Sequence, residues 1–149
     1  MWQDAILAYL HFAAIFALVW LLAKEWTLLR GQIDAIDFQR IANADLGFGL
    51  AAVAVLVTGA LRVFHGAKGA AFYLHNPVFH VKIALFVAVG LVSIAPTLAF
   101  LRWRRAWRAD AAFRVAPHEV TRVRRLVMVE LHLLVLIPLA AVVMARGLR

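Results

Sequence analysis

Hydrophobic residues run through this chain in four long blocks, residues 5–29, 46–65, 78–101 and 120–145, and charge returns in the gaps between them. A hydrocarbon layer about 30 Å thick is crossed by about 20 helical residues, so each block is long enough to span it. Inside lipid only helices or a closed barrel satisfy their own backbone groups. A barrel needs many short segments that alternate apolar and polar residues, and these blocks are too few and too uniformly apolar. The expected fold class is all-α: a single integral membrane domain over residues 1–149, built as a four-helix bundle. No internal repeat is evident.

The gaps carry the local signals. Between the first two blocks, Asp34, Asp37, Arg40 and Asp45 are interleaved with Ile33, Ile36, Phe38 and Ile41. That mixture predicts a short amphipathic segment on the membrane surface, with Asn43 or Asp45 capping a helix that begins near Leu46. The link over residues 66–77 is short, which predicts that the second and third spans are antiparallel neighbours. Asn76 followed by Pro77 is a start signal for the third. Pro96 and Pro138 fall inside spans, where each withholds an amide hydrogen and frees a carbonyl. Kinks are expected there, with Ser93 and Thr97 taking up the freed groups near Pro96. Gly47, Gly49 and Gly59 offer small surfaces for close helix approach.

Composition turns the reading toward lipid. Hydrophobic residues make up 65% of the chain and mean hydropathy is +0.86, more than a soluble domain of this length can hide in one core. Cysteine is absent, which removes disulfides, thiolate metal sites and a CxxC pair, so any redox role needs a bound cofactor. The net charge of +8 does not indicate nucleic acid. Its arginines gather between Arg102 and Arg125, where topology and anionic lipid headgroups account for them. With four crossings, 11 of the Lys and Arg residues fall on one side and 5 on the other. The first side is then cytoplasmic, and both termini and the residue 66–77 link face outward, the periplasm for a multi-pass protein of a bacterial inner membrane. Trp26, Trp103 and Trp107 are expected at the inner interface, Trp2 and Tyr73 at the outer one. The N-terminus lacks the basic region of a secretory signal and its apolar block is too long for one, so the first span is expected to be retained.

Ionisable side chains inside the spans are the candidates for chemistry, because each is costly in hydrocarbon without a partner. Asp4, His11, Leu18 and Glu25 recur every seven residues and share one stripe of the first helix. Lys82, Phe86, Gly90, Ser93 and Thr97 share a face of the third span, so a polar seam between these two helices is expected. His11 lies about 9 Å from the outer end of its span at the helical rise. Two histidines on different helices can clamp a b-type haem, with cations near water for its propionates. The candidate ligands are His11 with His80 or His65, and the candidate cations are Arg62, Lys68 and Lys82. The plainer reading of each is a side chain that snorkels to water or bonds a nearby carbonyl.

Glu130 and His132 are two residues apart and lie on nearly opposite helix faces. One is expected to turn into the bundle, the other toward headgroups or the second protomer of a homodimer. Glu130 is expected to pair with Lys24, Arg125 or another arginine on the cytoplasmic side, and Lys24, Glu25 and Asp45 to form an ion-pair cluster at the inner boundary. Alternatively, Glu25, Glu130 and His132 form a proton path in a small proton-coupled carrier. The chain has no P-loop, GxGxxG, HExxH or nucleophile elbow.

The run TGALRVFHGAKGAAFYLHNPVFHVKIALFVAVGLVSIAPTLAFLRWRR, with YLHFAAIFALVWLLAKE before it and VELHLLVLIPLAAVVMARG after it, resembles a bacterial family of small four-span inner-membrane proteins known only as a domain of unknown function. This resemblance covers nearly the whole chain and implies the architecture without an activity. A second resemblance is to the b-haem protoporphyrinogen oxidases of the HemJ type and the related copper-resistance CopD domain. Those have a His near the start of the first helix followed by a Trp, and a Trp-x-His-x-Lys element opening the third. Here His11 with Trp20 is similar to the first feature and His80, Val81 and Lys82 to the second, with Val78 in place of the Trp. This resemblance implies haem near the outer face and electron transfer or oxidation of a small reductant, with His11, His80 and Lys82 as the matching positions. The alternative is a non-enzymatic structural or accessory subunit whose basic loop docks lipid or a partner.

Overall fold

The computed structural model describes residues 2–65 and 69–146. Among these residues five helices form and no strand: α1 Trp2–Leu28, α2 Ala35–His65, α3 Gly69–Leu74, α4 Pro77–Ala109 and α5 Pro117–Ala145. All but α3 are long and apolar enough to cross a membrane. Even α1, with 27 residues, measures about 40 Å at the helical rise, which exceeds the hydrocarbon thickness. The polar surplus collects at one end of the bundle, where α2 and α5 begin and α4 finishes. This is the basic end; α3 lies at the other.

Local chemistry sets the helix starts. The Asp34 carboxylate accepts the amide of Asp37 at 2.7 Å, which opens α2 at Ala35, eleven residues earlier than expected, and leaves Asn43 and Asp45 inside the helix rather than capping it. No separate surface segment forms over residues 30–45. The reason is periodicity: Phe38, Ile41, Ala44, Phe48, Ala51 and Val55 are all buried and make one stripe that passes without a break from the polar start into the apolar span. At α4 the expected start holds, with the Asn76 side chain accepting the amide of Val78 at 2.9 Å and Pro77 in the first turn.

The bundle is two hairpins. α1 packs along α2, α4 packs along α5, and the pairs join mainly through α1 against α5. α2 and α4 touch only sparsely, so the short link does not make them close neighbours; α3 sits within it, and a cleft of about 360 Å³ lies between them. α1 and α4 stand diagonally without packing backbone to backbone, so the two faces expected to form a polar seam meet only across a gap: Leu18 shares the cleft with Phe86, Gly90, Ser93 and Thr97, and His11 is within electrostatic range of Lys82. Gly47 faces Leu21 of α1 and Gly59 faces His11 of α1, whereas Gly49 has open space. The small surface therefore serves the α1–α2 contact at two of its three positions.

Both α4 and α5 remain helical through Pro96 and Pro138. The Ser93 hydroxyl donates to the Gly90 carbonyl and the Thr97 hydroxyl to Asp45, so neither reaches the carbonyl that Pro96 frees. Trp103 is 1% exposed and its Nε1 donates to Glu119 at 2.8 Å. It belongs to the α4–α5 core and not to an interfacial belt.

Candidate functional site

The stripe on α1 turns inward, and its polar members lead to two centres. Toward the α3 end, half-buried His11 places Nδ1 2.9 Å from Thr58 Oγ1 of α2. The Thr58 hydroxyl hydrogen goes to the Ala54 carbonyl at 2.6 Å, so its oxygen accepts from His11 Nδ1 and leaves the Nε2 lone pair available. Gly59 makes room for the ring, since a Cβ there would lie 3.2 Å from His11 Cε1. Arg62, one turn beyond Thr58, and Lys82 of α4 are both within electrostatic range of His11. The Arg62 guanidinium lies 5.8 Å from the Phe12 ring centre, and its Nε is buried without a hydrogen-bond partner. Among the described residues neither cation has an acidic group within 4 Å.

The other histidines are placed differently. His80 is exposed in the first turn of α4, with Nδ1 3.1 Å from the Asn76 carbonyl. His75 and His132 make the same contact four residues back, at 2.9 and 2.7 Å, so it is the ordinary behaviour of a helical histidine and marks no site. His65 ends α2 and is exposed. Lys68 lies outside the described residues.

Closer to the basic end, each long helix gives one polar side chain to a second centre: Glu25 of α1, Asp45 of α2, Thr97 of α4 and Glu130 of α5. Glu25 and Glu130 are each 1% exposed. Glu25 is within electrostatic range of Asp45 and Glu130, and Glu130 within range of Asp45. Thr97 Oγ1 donates to Asp45 Oδ1 at 2.8 Å. Oε1 of each glutamate is buried with no hydrogen-bond partner, and among the described residues no Lys, Arg or His lies within 4 Å of the three carboxyls. The expected pairings of Glu130 with Lys24 or Arg125, and of Lys24 with Glu25, are not made. Adjacent helical residues diverge by about 100°, so Glu25 follows Leu18 and Leu22 inward while Lys24 turns out to lie 5.4 Å from the Trp20 ring centre. Arg125 is exposed for the same reason.

Residues 3–149 match the family model DUF2214, described as a predicted membrane protein. The chain belongs to the DUF2214 family. Together with the four apolar helices, this makes it a multi-pass membrane protein. No curated protein and no solved structure matches it, so the chemistry of this DUF2214 member must be read from its own side chains.

Of the histidine-centred candidates, His11, Arg62 and Lys82 come together, whereas His65 and His80 sit exposed at helix ends. Of the proton-path candidates, Glu25 and Glu130 come together and His132 faces away from the bundle. Among the described residues no group of three or more His, Asp or Glu is arranged to hold a metal ion. Thr58 is the residue that sequence reasoning missed. Its signal was its position four residues before Arg62, on the same face of α2.

Proposed function

We propose that this protein binds a b-type haem at its α3 end and serves electron transfer or the oxidation of a small reductant at that membrane face. In this reading the basic end is cytoplasmic and the α3 end faces the periplasm of a bacterial inner membrane. The observation that carries it is the state of His11. A hydroxyl engages Nδ1, as the second nitrogen of a metal-binding imidazole is usually engaged, Nε2 is left for iron, and two unpaired cations stand beside it. His80 or His65 would give the second ligand. Arg62, with its buried and unpartnered Nε, and Lys82 would hold the propionates. α1 and α4 stand diagonally in the bundle, so His11 and His80 would hold the group from two separate helices. Bound haem supplies one-electron chemistry; the chain fixes the imidazole tautomer through Thr58 and neutralises the carboxylates. Protein purified from haem-replete cells should show a Soret band that shifts on reduction and disappears in His11→Ala. A colourless, well-folded preparation would overturn the reading.

A second reading rests on the two orphaned glutamate oxygens. Three carboxyls gathered without a counter-charge in a low-dielectric interior are tolerable only with a proton or a cation among them, which suits a small proton-coupled carrier. In vesicles enclosing a pH-sensitive dye, Glu25→Gln with Glu130→Gln should slow proton entry at least about tenfold, a change of about 1.4 kcal/mol in barrier. Equal entry rates for the variant and the wild type would end this reading. If both tests fail, a non-enzymatic accessory role is what remains.

A further inference from the structure

We infer that the basic end contains a phosphate-binding pocket, formed between the α1–α2 connection and the first two turns of α5. It is independent of the haem and proton readings. Its volume is about 510 Å³, and Arg30, Gln32, Thr121 and Arg124 line it with Leu29 and Val120. Gly31, at φ +66°, takes the left-handed turn that a side chain would resist and so carries the connection past α5.

The electrostatics of this pocket are unbalanced. The guanidinium carbons of Arg30 and Arg124 each lie 4.6 Å from the ring centre of Trp26. One indole thus draws in two cations from different elements, and their attraction to its ring face must work against their mutual repulsion. No Asp or Glu among the described residues lies within 4 Å of either arginine. The nearest acid in sequence, Asp34, is turned to the amide of Asp37. Arg124 Nε is buried and has no hydrogen-bond partner. A pair of planar donor forks around a space of this size matches an oxyanion with several oxygens, and phosphate is the common one. The pocket lies just past the end of α1 at Leu28, beside Trp26, which is headgroup depth for a span of this length. The phosphate belongs to an anionic phospholipid headgroup or is free in solution.

The two sources are separable with the full chain, delipidated in a neutral detergent. Native mass spectrometry would follow phosphatidylglycerol against phosphatidylcholine, and calorimetry would follow inorganic phosphate. Wild type should retain phosphatidylglycerol at least about tenfold better than phosphatidylcholine. Arg30→Gln with Arg124→Gln should abolish that preference, while Arg104→Gln with Arg105→Gln, an equal loss of charge at exposed positions, should keep it. Arg124→Lys keeps the charge, loses the fork, and carries the test if the double variant misfolds; it too should weaken retention. Phosphate binding without a lipid preference, lost in the pocket variants, would assign the site to soluble phosphate. Equal loss in the pocket and control variants, or no binding of either ligand, would overturn the inference.

Discussion

Among the described residues one hydroxyl, that of Thr58, bonds His11, and with the Val55 carbonyl it orients the ring. Thr58→Val removes the hydroxyl at Nδ1 and leaves the ring, among the described residues, only the Val55 carbonyl as a partner, a loss expected at about 1 kcal/mol. Thermal unfolding in detergent should register it, with Thr58→Ser close to wild type; equal melting of the valine variant would mean that the contact contributes nothing. If haem is bound, the same variant should also shift the Soret maximum, because the ring loses one of the two partners that orient it. The seven-residue stripe that points His11 inward was legible in the sequence, since it is a property of one helix. The hydroxyl was not, because a lone threonine in an apolar block has no pattern and its partner lies 47 residues away.

Glycine separates the two kinds of helix contact at the scale of elements. Gly49 and Gly90 line the cleft between α2 and α4, and a Cβ at either would meet nothing within 4 Å. Alanine at each should stabilise its helix by about 0.5–1 kcal/mol through backbone entropy alone. At Gly47 a Cβ would come 3.1 Å from Leu21 Cδ1, so Gly47→Ala should lose that gain by forcing α1 and α2 apart. Melting temperatures of the three single variants in one detergent would check this order. A rise for Gly47→Ala matching the other two would show the hairpin to be looser than its contacts indicate. The four spans were legible because lipid demands length. The run of α2 through residues 35–45 was not, because its charges looked like a surface segment while its buried stripe, from Phe38 to Val55, already had the period of the span it joins.

In the whole molecule the question is what keeps two hairpins together when lipid gives apolar faces little reason to associate. Among the described residues, one side-chain hydrogen bond joins the α1–α2 pair to the α4–α5 pair, the 2.8 Å contact from Thr97 to Asp45. It stands beside Glu25 and Glu130, which arrive on the two helices that carry most of the contact between the hairpins. That convergence could not be seen in the sequence, where each acid has basic neighbours nearby and pairing with them is the default. Thr97→Val would leave Asp45 Oδ1 without its donor, at a cost of about 1–2 kcal/mol for a bond of this kind within a membrane bundle. Asp45→Asn keeps an acceptor for Thr97 and adds amide hydrogens within range of Glu25 and Glu130, so it should unfold no earlier than wild type. Removing the hydroxyl should therefore be worse than removing the charge, the reverse of what an ion-pair cluster would give. Melting of the two variants side by side decides it: an Asp45→Asn protein less stable than Thr97→Val would mean that a cation holds this carboxylate and that the hairpins are joined by charge.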